Sequence, residues 1–262
     1  MEEGFLSDST YLTVRKDLSL IARTVPTLSF YTRFFGVVFR ASILAKRGEY
    51  DGPAWAASSL EVLRLLEGIG VSIQISGLEN IKKIDGPCLI IGNHMSMMET
   101  LLLPGVVQPL KPVTFVVKES LLNYPVFKHV MRSRNPVAVS RTNPRQDLKT
   151  VLDEGEKRLQ QGISIIVFPQ TTRSNAFESA QMSSIGVKLA KKCGVPIVPL
   201  ALKTDAWQNG KYFKDFGAID AAKRVCFAFG EPFSVIGKGT EEQQTINMFI
   251  SEKLSCWADS RR

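Results

Sequence analysis

Between residues 71 and 235, short runs rich in Val, Ile and Phe recur along the chain, bounded by Gly, Pro or Asn. They read as strands at 71–75, 88–91, 113–117, 137–139, 164–168, 197–202 and 225–229. Helical stretches are predicted between them at 96–103, 121–131, 144–161 and 178–193. The third consists of good helix formers and runs into Gly162, a residue suited to the position just past a helix end. Strand and helix in alternation call for a layered answer: an α/β fold with a mixed, largely parallel sheet flanked by helices. Residues 10–66 read instead as mainly helical, and a last helix is expected over 240–257. The expected organisation is an N-terminal helical region, 1–66, ahead of an α/β domain, 67–262.

Composition removes several alternatives. Apolar residues make up 44% of the 262 and charged residues 22%, a globular balance that excludes a disordered or fibrous chain. Cys88, Cys193, Cys226 and Cys256 are scattered without a CxxC pair, and three lie in or beside apolar runs. That usage favours reduced thiols in the cytoplasm over a disulfide framework. Two histidines and no Cys/His cluster give no reason to expect a metal site. A net charge of +8 implies an acidic partner: nucleic acid, anionic lipid or a phosphorylated substrate. Glu2 and Glu3 follow Met1, so no signal peptide is expected. An ordinary membrane span is not expected either, since no run of about 18 uncharged apolar residues occurs.

One segment narrows the choice of partner. Residues 26–47 read PTLSFYTRFFGVVFRASILAKR, crowded with aromatic and aliphatic side chains, free of acidic ones, and interrupted by Arg33 and Arg40. Seven residues apart, the two arginines share one helix face, beside Phe34 and Phe35. A basic stripe on an apolar helix suits burial at a lipid interface, where arginines reach headgroup phosphates. The alternative is a helix packed on the core that exposes two arginines. Nucleic-acid binding would call for basic residues interleaved with polar contacts, which the apolar bulk disfavours.

The chemistry concentrates at strand ends. In Cys88-Leu-Ile-Ile-Gly-Asn-His-Met-Ser-Met-Met-Glu99 an apolar strand gives out at Gly92-Asn93, and His94 falls at the turn into a helix. Carboxyl ends of strands line the usual ligand crevice of an α/β sheet. A neutral His94 there can accept a proton, and Glu99 can hold its other ring nitrogen. On a regular helix positions five apart differ by about 140°, so the pair meets only if His94 precedes the helix. The competing reading makes Ser96 and Glu99 a capping box, which starts the helix in the same place. A second strand ends in Phe168-Pro-Gln-Thr-Thr-Arg173, where Arg173 can grip a phosphate bidentately. Lys118 and Arg141 follow two further strands, so three cations are expected around one crevice with His94. His129, without a carboxylate at a useful offset, reads as structural or surface-exposed.

Asn93-His-Met-Ser-Met-Met-Glu99 resembles the NHxxxxD motif of the glycerolipid acyltransferases, the family that includes 1-acyl-glycerol-3-phosphate acyltransferases. FPQTTRS at 168–174 resembles that family's FPEGTRS motif, and VPIVP at 195–199 its VPIVP motif. VVKESLLNYPVFKHVM followed by VAVSR resembles the remaining block, so four blocks stand in family order across roughly 75–235. The resemblance implies a membrane-peripheral O-acyltransferase of phospholipid biosynthesis at the cytoplasmic face. Its acyl group comes from acyl-CoA or acyl carrier protein, and it needs no cofactor, metal or nucleic acid. By the same token His94 and Glu99 form the catalytic pair, Lys118, Arg141 and Arg173 bind the acceptor phosphate, and Gln170, Thr171 and Thr172 form the acceptor motif. Glu99 stands where the family has Asp, Gln170-Thr171 where it has Glu-Gly, and Lys128 where it usually has Gly. These departures bear on the acceptor: 1-acyl-glycerol-3-phosphate is expected first, then another lysolipid or an acylated amino-acid lipid. A non-catalytic lipid-binding relative is the remaining alternative.

Overall fold

The computed structural model describes residues 10–14, 17–170, 172–211 and 214–259. Its strands are β1 (Thr10–Leu12), β2 (Ile73–Ser76), β3 (Leu89–Gly92), β4 (Val113–Lys118), β5 (Val137–Val139), β6 (Ser164–Val167), β7 (Ile197–Lys203) and β8 (Val225–Phe229). Its helices are α1 (Leu20–Thr24), α2 (Pro26–Lys46), α3 (Gly52–Glu67), α4 (Leu78–Lys82), α5 (Met98–Val107), α6 (Phe127–Ser133), α7 (Pro144–Gln160), α8 (Ile185–Cys193) and α9 (Thr240–Asp259). The strands form one eight-stranded sheet in the order β1-β2-β8-β7-β3-β6-β4-β5. From β7 to β5 every pairing is parallel, and the antiparallel pairings are β1–β2 and β7–β8. The expected mixed, largely parallel α/β sheet is therefore present.

The central strands are buried on both faces, which explains why they read as continuous apolar runs rather than alternating ones. Alternation survives in where each side chain goes. Leu89, Ile91, Ile165 and Val167 pack with Val151 and Leu159 of α7 and Leu189 of α8, joined by Ile246 and Ile250 of α9. Ile90, Ile166, Val198 and Leu200 point the other way, into the layer that holds Phe34 of α2, Leu63 of α3 and Leu102 of α5. The N-terminal helices thus share one continuous core with the sheet. Residues 10–12, expected within a mainly helical stretch, form the edge strand β1 instead, where Tyr11 pairs with Ile75.

Two expected helices are broken, and prolines explain one of them. Pro125 interrupts 121–131 into a 3₁₀ turn, Glu119–Asn123, and the short α6, because the residue before proline is driven out of the helical region. Residues 178–193 begin only as a 3₁₀ turn, Ser179–Gln181, before α8. In contrast, α5 runs through Pro104. Ser59 of α3 enters its ladder there, accepting the Gly105 N–H at 2.7 Å and reaching the Leu101 and Leu102 carbonyls.

By length and composition α2 could cross a membrane. However, Phe30, Phe34, Val37, Val38, Ala41 and Ser42 are buried against the protein, so one face is committed to the core. Phe34 in particular is wholly enclosed beside Phe30 and Trp207, which removes it from any lipid-facing set. Leu28, Phe35 and Phe39 are more than half or half exposed on the other side, where Arg33 is exposed too. Arg40 is exposed and paired with Glu61 of α3.

Candidate active site

Gly92 ends β3 at a close approach: a Cβ there would lie 2.8 Å from the Leu200 carbonyl oxygen. Next, the Asn93 amide spans to β7, accepting from Leu202 N–H and donating to Leu202 O, both at 2.8 Å. These contacts seat the chain for His94, which leaves the sheet before α5 begins at Met98. The turn places the His94 Nδ1 2.8 Å from Glu99 Oε1, in spite of their five-residue spacing.

Glu99 is fully buried and receives hydrogen bonds on both oxygens. Oε1 takes His94 Nδ1 together with the backbone N–H groups of Met95 (2.7 Å) and Ser96 (2.9 Å). Oε2 takes the hydroxyls of Ser96 (2.9 Å) and Thr204 (2.6 Å). The capping contact to the Ser96 N–H and the contact to His94 therefore coexist on one carboxylate. Burial alone raises the Glu99 pKa, but the bonds from His94, Thr204 and Ser96 outweigh it and hold the carboxyl below its ordinary range. With Glu99 anionic, Nδ1 carries the proton and Nε2 of His94 presents its lone pair.

The loop after β6 fixes the rest of His94. Phe168 stacks on the imidazole with centroids 4.6 Å apart and planes 3° from parallel. Buried Gln170 accepts the His94 backbone N–H at 2.5 Å, and the Ser174 N–H donates to His94 O at 3.0 Å. Because Oε1 of Gln170 is the acceptor, its Nε2 is left without a hydrogen-bond partner among the described residues. Arg173 reaches His94, its Nε 3.4 Å from His94 Nε2 and its Nη1 2.6 Å from Asp215 Oδ1. Thr172 is exposed, and Thr171 lies outside the described residues.

Strand order explains why distant cations approach one another. His94 follows β3, Arg173 follows β6, Lys118 ends β4, and Arg141 follows β5, and these four parallel strands are successive neighbours. Their carboxyl ends consequently stand in a row on one edge, about 4.8 Å per strand. The Lys118 side chain is exposed and makes no hydrogen bond or ion pair with the described residues. Burial and the like charge of Arg173 push the Arg141 guanidinium pKa down, against the attraction of Asp147. Asp147 also accepts the backbone N–H groups of Ser140 and Arg141, both at 2.8 Å, which fixes Arg141 at φ 61°. His129 is half-buried on α6.

Comparison with known proteins fits this layout. The Acyltransferase family profile matches residues 72–203, just over half of the chain. The chain belongs to this family. Among acyltransferases, the 1-acyl-sn-glycerol-3-phosphate acyltransferase of Pseudomonas aeruginosa is 29% identical over 244 residues, covering 91% of this chain and 87% of that one. A probable enzyme of the same name from Mycoplasma pneumoniae is 32% identical over 136 residues, 51% and 50% of the two chains. The crystal structure of the 1-acyl-sn-glycerophosphate (LPA) acyltransferase PlsC from Thermotoga maritima shares the fold, with a TM-score of 0.66 over 90% of this chain and 95% of that one at 23% identity.

The matched span contains the strand-end residues that the sequence marks, and four further site groups carry no such mark. Asn93 and Phe168 lie within motifs that assign them no role. Thr204 sits two residues beyond the strand expected at 197–202, where the apolar run gives way to Lys203-Thr204. Asp215 lies in the connection between β7 and β8, and no local pattern marks it.

Proposed function

We propose that this acyltransferase moves a fatty acyl group from acyl-CoA or acyl carrier protein to the free hydroxyl of 1-acyl-glycerol-3-phosphate, giving phosphatidic acid. The carrying observation is the His94–Glu99 pair, with Nδ1 bound to a buried carboxylate and Nε2 directed to the cationic strand-end crevice. Nε2 takes the acceptor's hydroxyl proton while that oxygen attacks the thioester carbonyl carbon. Glu99 stabilises the imidazolium that forms. When the tetrahedral adduct collapses, the carbon–sulfur bond breaks and the thiolate leaves with the proton from His94. The row of Lys118, Arg173 and Arg141 suits the acceptor phosphate, Arg173 by its planar fork and Lys118 as a point charge.

His94→Ala is expected to lower kcat for acyl-CoA-dependent transfer by about 10²–10⁴-fold, and also to lower the melting temperature, because it removes a donor to buried Glu99 and the ring stacked on Phe168. Retained turnover would sink the assignment of the base. A panel of lysolipids run alongside separates acceptors, and preference for an uncharged acceptor would remove the phosphate role of Arg173. The neutral Gln170, whose Nε2 has no partner among the described residues, favours including an acylated amino-acid lipid in that panel.

The exposed face of α2 supports action at the cytoplasmic surface of an anionic membrane, with Leu28, Phe35 and Phe39 entering the interface and Arg33 meeting headgroups. Sedimentation with phosphatidylglycerol vesicles should fall with added salt and with Phe35→Ser or Arg33→Gln. Vesicle binding that ignores all three would count against docking by α2.

A further inference from the structure

Resting on the acyl-transfer reading, we propose that Asp215 is a positioning residue for acceptor selection. It holds Arg173 across the proton-accepting nitrogen of His94 until an anionic acceptor group draws the guanidinium away.

A guanidinium offers donors and no acceptor, and the Arg173 Nε–H points at the one lone pair the mechanism needs. A hydroxyl poised to lose its proton must sit within about 2.6–3.2 Å of that same lone pair. Two donors cannot share it, so Arg173 must move before the acceptor hydroxyl can engage. At 3.4 Å the contact with His94 is long and weak, whereas the 2.6 Å contact with Asp215 is a short charge-assisted pair. Asp215, rather than His94, therefore keeps Arg173 in place.

The carboxylate is itself well anchored. The Asp215 carbonyl accepts Trp207 Nε1–H at 3.1 Å, and the Tyr31 hydroxyl donates to Gly217 O at 2.7 Å. Between these, the Phe216 ring packs among Tyr31, Phe35 and Phe127. With the loop held on both sides, the guanidinium is the group free to shift. The Tyr124 phenol stands near the same carboxylate, its pKa raised by burial and then by the Asp215 charge, with Arg173 opposing. A phosphate entering from the Lys118–Arg141 side offers Arg173 a bidentate partner of higher charge than one carboxylate. An uncharged acceptor offers nothing to break the pair. The contact thus converts the acceptor's charge into access to the base.

The test compares wild-type protein with Asp215→Asn and Asp215→Glu, using acyl-CoA with 1-acyl-glycerol-3-phosphate and with uncharged 1-acyl-glycerol. Asp215→Asn should raise kcat/KM for the uncharged acceptor about tenfold, the scale of one charge-assisted hydrogen bond. It should also lower KM for the phosphorylated acceptor, and Asp215→Glu should keep the wild-type ratio. Equal losses on both acceptors would show that Asp215 only supports the loop, and would overturn the proposal. A second measurement needs no turnover. With two histidines in the chain, the ¹⁵N resonance of His94 Nε2 can be followed while inorganic phosphate is added. A phosphate-dependent shift in wild type, already present without phosphate in Asp215→Asn, supports the lock; no shift in wild type overturns it. Absent wild-type turnover would reject the acyl-transfer reading by itself, while the nitrogen shift would still decide the lock.

Discussion

The two nitrogens of His94 sit in opposite environments. On the Nδ1 side, Glu99 is enclosed, accepts from five donors, and draws on β7 and on the turn before α5. On the Nε2 side one long contact reaches Arg173, whose side chain is 21% exposed and whose ion pair with Asp215 comes from a connection between strands. Under the proposed mechanism the difference separates two tasks. The proton-holding side stays fixed, since overlapping hydrogen bonds in a buried site make it rigid. The acceptor side is vacated, and the long bond there can be exchanged.

That contrast can be broken most directly at Glu99. Glu99→Gln retains the size of the side chain but removes the charge that stabilises imidazolium, and kcat should fall by about 10²–10⁴-fold in thioester assays. The same variant should alter acid stability. The folded Glu99 pKa lies below its ordinary 4.5, so its stabilisation is present above that value and is lost as pH falls through the folded pKa. Denaturant titrations from neutral pH downward should therefore show a shallower loss of stability below pH 4.5 in Glu99→Gln than in wild type. Equal slopes would mean that the carboxylate does not carry this dependence.

A smaller effect sharpens the comparison from the β7 side. Thr204→Val removes one of the donors on Oε2 and leaves the shape. It should cost about 1–3 kcal/mol in stability, with a drop in kcat much smaller than that of Glu99→Gln. A loss as large as that of Glu99→Gln would show that the network has no redundancy and that the rigid side depends on each member.

Much of this arrangement is legible locally. The apolar runs bounded by Gly, Pro or Asn locate seven of the eight strands. His94 at a strand end with Glu99 five residues on indicates the pair, and the cations of the strand ends lie where their runs stop. β1 escapes because its three residues, Thr10, Tyr11 and Leu12, are too few to show a strand alternation. Phe34 and Phe35 are adjacent and alike, yet one is enclosed and the other half exposed, since helical rotation turns them in different directions.

By itself, the sequence determined the α/β alternation, the turn that frees His94 from its helix, and the blocks that mark the acyltransferase family. These depend on neighbours within a few residues, where periodicity and turn chemistry act. Only the tertiary structure decided that β3, β6, β4 and β5 lie side by side, that Thr204 completes the Glu99 cage, and that Asp215 holds Arg173 beside the base. Those contacts join residues 105, 79 and 42 positions apart. Their partners are chosen by sheet order and packing, which no short stretch of chain encodes.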